Sequence, residues 1–280
     1  MTSTQMTSTV QSGDVTLFIR KFGAASGNMP LLILHGGNYY DSADWIDVGE
    51  ELAGDREIAA FDARGFGNSG WSASKDYGFA SALNDIRAVL GHLGWERAII
   101  VGHSRGGSHA LLAAARAPEI AAGLILVDYS PALGFGPPGG VSAVDGSAPV
   151  FPTVEAALDS MTRFKPVPLT SETLARALQF LEPVDGGFRL AKRDPCFMNH
   201  AREDTPIIPR GGFDELADTR CPVLVIRATK SPIFKPEDLT RLASVEGLAL
   251  REIESGHDVV GETPEAFVTA VTDWLFRERV

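Results

Sequence analysis

The chain has 280 residues, 44% of them hydrophobic and 22% charged, which suits one large folded core and argues against disorder. Its 25 basic and 36 acidic residues leave a formal charge of −11. No basic cluster interrupts that balance, so neither nucleic acid nor an anionic membrane is an expected partner.

Two cysteines, Cys196 and Cys221, are too few and too far apart for a disulfide framework or a zinc site. The segment Met1–Val10 is polar, without a basic start or an apolar centre, and does not read as a signal peptide. No apolar run approaches the roughly 20 residues that cross a bilayer. The expectation is a cytoplasmic protein with no cofactor and no metal. Its expected partner is a small-molecule substrate, and a homodimer is the candidate assembly.

Strand and helix patterns alternate along the chain, which implies a mostly parallel sheet covered on both faces. A strand over Val15–Arg20 follows a hairpin turn at Gln11–Asp14. Continuous apolar runs at 30–34, 57–61, 98–101 and 124–127 read as strands buried on both faces. Helical stretches fall between them, at about 42–54, 79–93 and 104–116. From 131 to 150 the chain holds Pro131, Pro137, Pro138, Gly134, Gly136, Gly139 and Gly140, a density that regular structure does not tolerate. Residues 154–163 and 171–182 read as helices, Asp185-Gly186-Gly187 as a tight turn. Sheet texture returns at 222–226, followed by a helix near 235–244, a strand at 248–253 and a helix from about 263. The expected fold is α/β, an eight-stranded mostly parallel sheet with helices on both faces. Residues 1–130 and 216–280 would form the core and 131–215 an inserted helical cap.

The chemistry concentrates at Gly102-His103-Ser104-Arg105-Gly106, which directly follows a buried strand and opens a helix. That context is the one a nucleophile elbow requires: a sharp turn lifts the serine hydroxyl to the carboxyl edge of the sheet, where the helix N-terminus adds a positive field. A serine hydroxyl needs a base. Of six histidines, His257 lies in the loop between the last strand and the last helix, which returns to that same edge. His92 reads as a surface or packing residue and His200 as part of the insertion. His103 either lines the pocket or makes a supporting hydrogen bond. The glycines of His35-Gly36-Gly37 leave backbone N–H groups unobstructed, so the N–H groups of Gly37 and Arg105 are the oxyanion-hole candidates.

These segments, together with Phe61-Asp-Ala-Arg-Gly-Phe-Gly-Asn-Ser69, resemble the α/β-hydrolase superfamily over nearly the whole chain. The resemblance implies loop-stabilising roles for Asp62 and Arg64. Most members carry the catalytic aspartate after the strand that here spans 223–226, but this chain reads Arg227-Ala-Thr-Lys-Ser231 there. The remaining candidate acid is Asp128, after the preceding core strand, with a purely structural aspartate as the alternative. Asp128 with Ser231, plus Pro183–Gly187, resembles the E-2-(acetamidomethylene)succinate hydrolase and N-formylmaleamate deformylase type, amidohydrolases that open acyl-enamines.

The expected activity is therefore hydrolysis of a small amide, ester or activated C–C bond by Ser104, His257 and Asp128, without a metal. Tyr39, Tyr40 and Trp45 are candidates for an aromatic pocket wall, with core packing as their alternative. Ser231 is a further pocket candidate. Arg163, the first arginine after residue 130, is either a carboxylate anchor or a solvated helix charge. Two rivals share the fold: a cofactor-free dioxygenase relying on the His257–Asp128 pair, recognisable by oxygen uptake, and a receptor-type homologue that hydrolyses slowly.

Overall fold

Each apolar run places alternate side chains on opposite faces of one sheet, and two separate helix layers cover them. The computed structural model describes residues 5–37, 41–132, 150–161, 170–178, 180–190, 194 and 211–280. Eight strands form the main sheet: β1 (Met6–Ser12), β2 (Val15–Phe22), β3 (Leu31–Leu34), β4 (Ile58–Phe61), β5 (Ala98–His103), β6 (Ala121–Val127), β10 (Val223–Ala228) and β11 (Leu248–Ile253). Their spatial order is β1-β2-β4-β3-β5-β6-β10-β11. The β1–β2 and β2–β4 pairs are antiparallel and every other pair is parallel.

On one face, Leu32, Leu34, Ile100 and Val225 pack with α2 (Phe79–Leu93) and α3 (Arg105–Arg116). On the other, Leu31, Ile33, Val101 and Ile226 pack with α1 (Ile46–Leu52) and with α9 (Pro264–Glu278), through Phe267, Val271 and Trp274. A short 3-10 turn, Ser42–Trp45, precedes α1, so the helix expected over 42–54 is split in two. Strand β1 has no counterpart in the apolar pattern. Its residues are mostly polar and exposed, and the pairing with β2 holds it at the sheet edge.

Between β6 and β10 the described residues include a second, three-stranded antiparallel sheet in the order β7-β9-β8, from β7 (Val150–Phe151), β8 (Leu181–Val184) and β9 (Gly187–Leu190). Helices α4 (Val154–Met161) and α5 (Ser171–Ala177) accompany it. Phe151, Val154, Leu158, Phe180 and Leu181 form a small core of their own. The insertion is thus not purely helical. The helix expected over 171–182 ends at Ala177, because Leu181–Val184 pairs through the Asp185-Gly186 turn with β9. Gly186 and Gly187 adopt φ of 87° and 145° there, which glycine tolerates best. Three short helices, α6 (Phe213–Ala217), α7 (Pro236–Ala243) and α8 (Val259–Glu262), complete the chain. No helix among the described residues is long and apolar enough to cross a membrane.

Candidate active site

Ser104 occupies a backbone conformation that L residues rarely adopt, φ 51° and ψ −115°, between β5 and α3. Sheet and helix hold that strain in place: the Ser104 N–H donates to the Val127 carbonyl at 3.1 Å, and the Ser104 carbonyl accepts the Gly107 N–H at 2.9 Å. Two glycines make the turn sterically feasible. A Cβ on Gly106 would stand 2.2 Å from the Leu34 carbonyl oxygen, and one on Gly102 would stand 2.4 Å from that of Gly106. This is the physical content of the Gly-x-Ser-x-Gly spacing.

Strands β5 and β6 run in register, with His103 opposite Val127. The residues that follow these two, Ser104 and Asp128, both turn out of the sheet with positive φ. The Asp128 side chain is fully buried. Its Oδ1 accepts the backbone N–H of Ala228 at 3.1 Å, and its Oδ2 lies 2.7 Å from His257 Nδ1. A carboxylate oxygen accepts, so Nδ1 carries the proton and Nε2 the lone pair. The aspartate that meets His257 thus follows β6, while β10, the strand after which the more usual aspartate was expected, contributes a backbone N–H that holds its carboxylate. Ser231, in that commoner position, is buried and its hydroxyl accepts the Ile233 N–H at 3.4 Å.

Gly37 lies beside the start of α3, where a Cβ on it would meet Arg105 Cβ at 3.6 Å. The loop before it is fixed by His35. That ring accepts the Ala63 N–H on Nε2 at 2.9 Å, so its Nδ1 carries the proton and donates to the Gly36 carbonyl at 2.6 Å. Asp62 in turn accepts N–H groups from Ser42 and Asn68, each at 2.7 Å. Burial, followed by the neighbouring Asp41 charge, pushes its carboxyl above the usual range. Arg64 forms a bidentate pair with Asp85, both contacts at 2.7 Å. The roles of His35 and Asp85 were not legible in the sequence, since no spacing rule links either residue to its partner.

Trp45 is 1% exposed and packs edge-on against Phe267 at 5.8 Å, so it is a core residue rather than a pocket wall. His103 is equally buried. Its Nε2 lies 2.9 Å from the His257 carbonyl oxygen, which makes it a supporting residue rather than a lining one. The Arg105 guanidinium sits 4.4 Å over the Phe66 ring. Tyr39, Tyr40 and Arg163 fall outside the described residues.

The family model described as alpha/beta hydrolase fold matches residues 29–151. The chain is similar to 2-(acetamidomethylene)succinate hydrolase of Mesorhizobium japonicum, 25% identical over 276 residues, which are 95% of this chain and 94% of that one. It is also similar to 2-hydroxymuconate semialdehyde hydrolase of a Pseudomonas species, 34% identical over 137 residues, 48% of either chain. Among solved structures, that of E-2-(acetamidomethylene)succinate hydrolase aligns with a TM-score of 0.77 at 23% identity, covering 98% of this chain and 100% of that one.

Proposed function

We propose that this chain, which has the α/β-hydrolase fold, is a serine hydrolase acting on a small amide, ester or activated C–C bond, with acyl-enamines and ring-cleavage products as the leading substrates. The observation that carries the reading is the 2.7 Å contact between His257 Nδ1 and the buried Asp128 carboxylate, beside a strained serine at the head of a helix. The relatives lend support, because both are named for hydrolysis of small substrates.

In this reading His257 Nε2 takes the Ser104 proton as the hydroxyl attacks the substrate carbonyl, and Asp128 stabilises the resulting imidazolium. The N–H groups of Gly37 and Arg105 receive the oxyanion. His257 then protonates the leaving nitrogen, oxygen or carbon and activates the water that frees Ser104. The described part of the insertion between β6 and β10 is joined to the core. Contacts that tie it there include the Asp194 N–H donating to the Gly65 carbonyl at 2.8 Å and the Tyr129 hydroxyl donating to the Gly211 carbonyl at 2.5 Å.

A fluorophosphonate should label the protein on Ser104, located by peptide mass mapping. Ser104→Ala should lose roughly four to six orders of magnitude in turnover on the best substrate from a panel of esters, acyl-enamines and ring-cleavage products. An unlabelled protein whose alanine variant keeps its activity and consumes oxygen would move the assignment to the dioxygenase.

A further inference from the structure

We propose that His103 is a positioning residue for the base, its ring N–H holding the main chain of His257 so that Nε2 stays aimed at Ser104. The inference rests on the serine-hydrolase reading and adds a residue to its machinery. His103 ends β5, in the middle of the sheet, and is 1% exposed. A carbonyl oxygen only accepts, so the 2.9 Å contact with His257 O makes Nε2 the protonated nitrogen of His103. The His103 and His257 rings lie 4.7 Å apart at 41°, and Trp45 packs edge-on against the His103 ring at 6.5 Å.

The loop that carries His257 has no regular structure between β11 and α8. The loop is tethered next to His257 as well: the Lys230 N–H donates to the Ser255 carbonyl at 3.0 Å, and the Gly256 N–H to Glu262 Oε2 at 2.8 Å. Asp128 fixes the ring at one end and His103 fixes the backbone at the other. With both in place, rotation of the imidazole is confined. Small misplacements of a reacting group cost on the order of a hundredfold in rate.

The residue must donate a hydrogen bond without being a cation, because His257 itself becomes positive during the reaction. Burial, and next the charge of His257, hold His103 well below the ordinary imidazole range, so it faces the imidazolium as a neutral ring. Asparagine would be too short for the Nε2 position, and lysine would add a like charge.

The test compares two nearly isosteric replacements that differ in the donor. His103→Gln keeps an N–H near Nε2, and His103→Met removes it. The readouts are the second-order rate of fluorophosphonate labelling at Ser104 and the split between kcat and KM, with melting temperature as the check on folding. The expected result is a 10- to 100-fold loss of labelling rate and kcat for His103→Met, with KM near normal and most of the loss recovered in His103→Gln. Equal rates in folded Gln and Met variants would overturn the proposal. Absence of labelling in the unmodified protein would instead overturn the serine-hydrolase reading. Should His103→Met not fold, nitrogen-15 spectra of the unmodified protein decide. An exchange-protected His103 Nε2–H that persists from pH 5 to 8 supports the role, and a freely exchanging or titrating ring removes it.

Discussion

At the scale of single residues, Asp128, the proposed acid, shows how the site departs from the commoner layout. Asp128 is fully buried and uses both carboxylate oxygens, one on the Ala228 N–H and one on His257. Asparagine cannot satisfy both contacts in the same way. Its amide nitrogen would face either the Ala228 N–H or the His257 Nδ1–H, donor against donor, and the imidazole would relieve the second clash by taking the wrong tautomer. Asp128→Asn is expected to cost up to about four orders of magnitude in turnover near neutral pH. Steady-state kinetics on a folded variant check this, and retention of more than about a tenth of normal turnover would remove Asp128 from the triad. Asp258 makes the opposite forecast although it adjoins His257. Its side chain accepts the Gly261 N–H at 3.3 Å as the N-cap of α8. Asp258→Ala should cost about 1 kcal/mol of stability in urea denaturation while leaving turnover nearly unchanged.

At the scale of elements, the elbow is where sequence and structure agree for a reason that can be tested. A Cβ at residue 106 meets backbone on β3, not a movable side chain. Gly106→Ala should therefore destabilise by about 3 kcal/mol and displace the nucleophile, so that labelling of Ser104 falls even in the folded fraction. A variant with normal stability and normal labelling would contradict the packing argument. The same logic explains what was legible. Strands buried on both faces must be continuous apolar runs, so β3, β4, β5, β6 and β10 were visible in outline. The 15-residue α2 was visible to its ends, helped by the left-handed Gly94 that stops it. Strand β1 was not, because an edge strand of Met, Ser and Thr is specified by its partner rather than by its own pattern. Strand β8 was hidden for a related reason: Leu181-Glu-Pro-Val184 is only partly buried and pairs only through the turn that follows. Ser104, His257 and Asp128 could be named as candidates from motif and chain order, and His257 and Asp128 do meet in the structure. The contact of His35 with Ala63 could not, and for His103 a supporting hydrogen bond was one of two readings but its partner was not legible, since these contacts join residues 28 and 154 positions apart.

At the scale of the whole molecule, a two-faced hydrophobic core encloses several ionisable groups, and its stability must therefore depend on pH. The core face covered by α2 and α3 includes His109, only 7% exposed, whose ring lies 6.5 Å from that of Phe79. Burial, followed by the positive charge of Arg105 and then by His35, lowers its pKa from 6.5 to about 3. The sign follows from proton counting. Below pH 6.5 the unfolded chain takes up a proton at this ring and the native state does not, until the pH reaches about 3. The stabilisation is complete above pH 6.5 and is lost progressively as the pH falls, at about 1.4 kcal/mol per pH unit for each such histidine. His103 is shifted in the same direction and steepens the decline. His109→Gln removes one titrating group from both states, whatever its effect on absolute stability. Urea denaturation between pH 7 and pH 5 should show a shallower pH dependence for His109→Gln than for the unmodified chain, by up to about 1.4 kcal/mol per pH unit. Parallel curves for the two proteins would mean that His109 protonates in the native state and that this face of the core admits water.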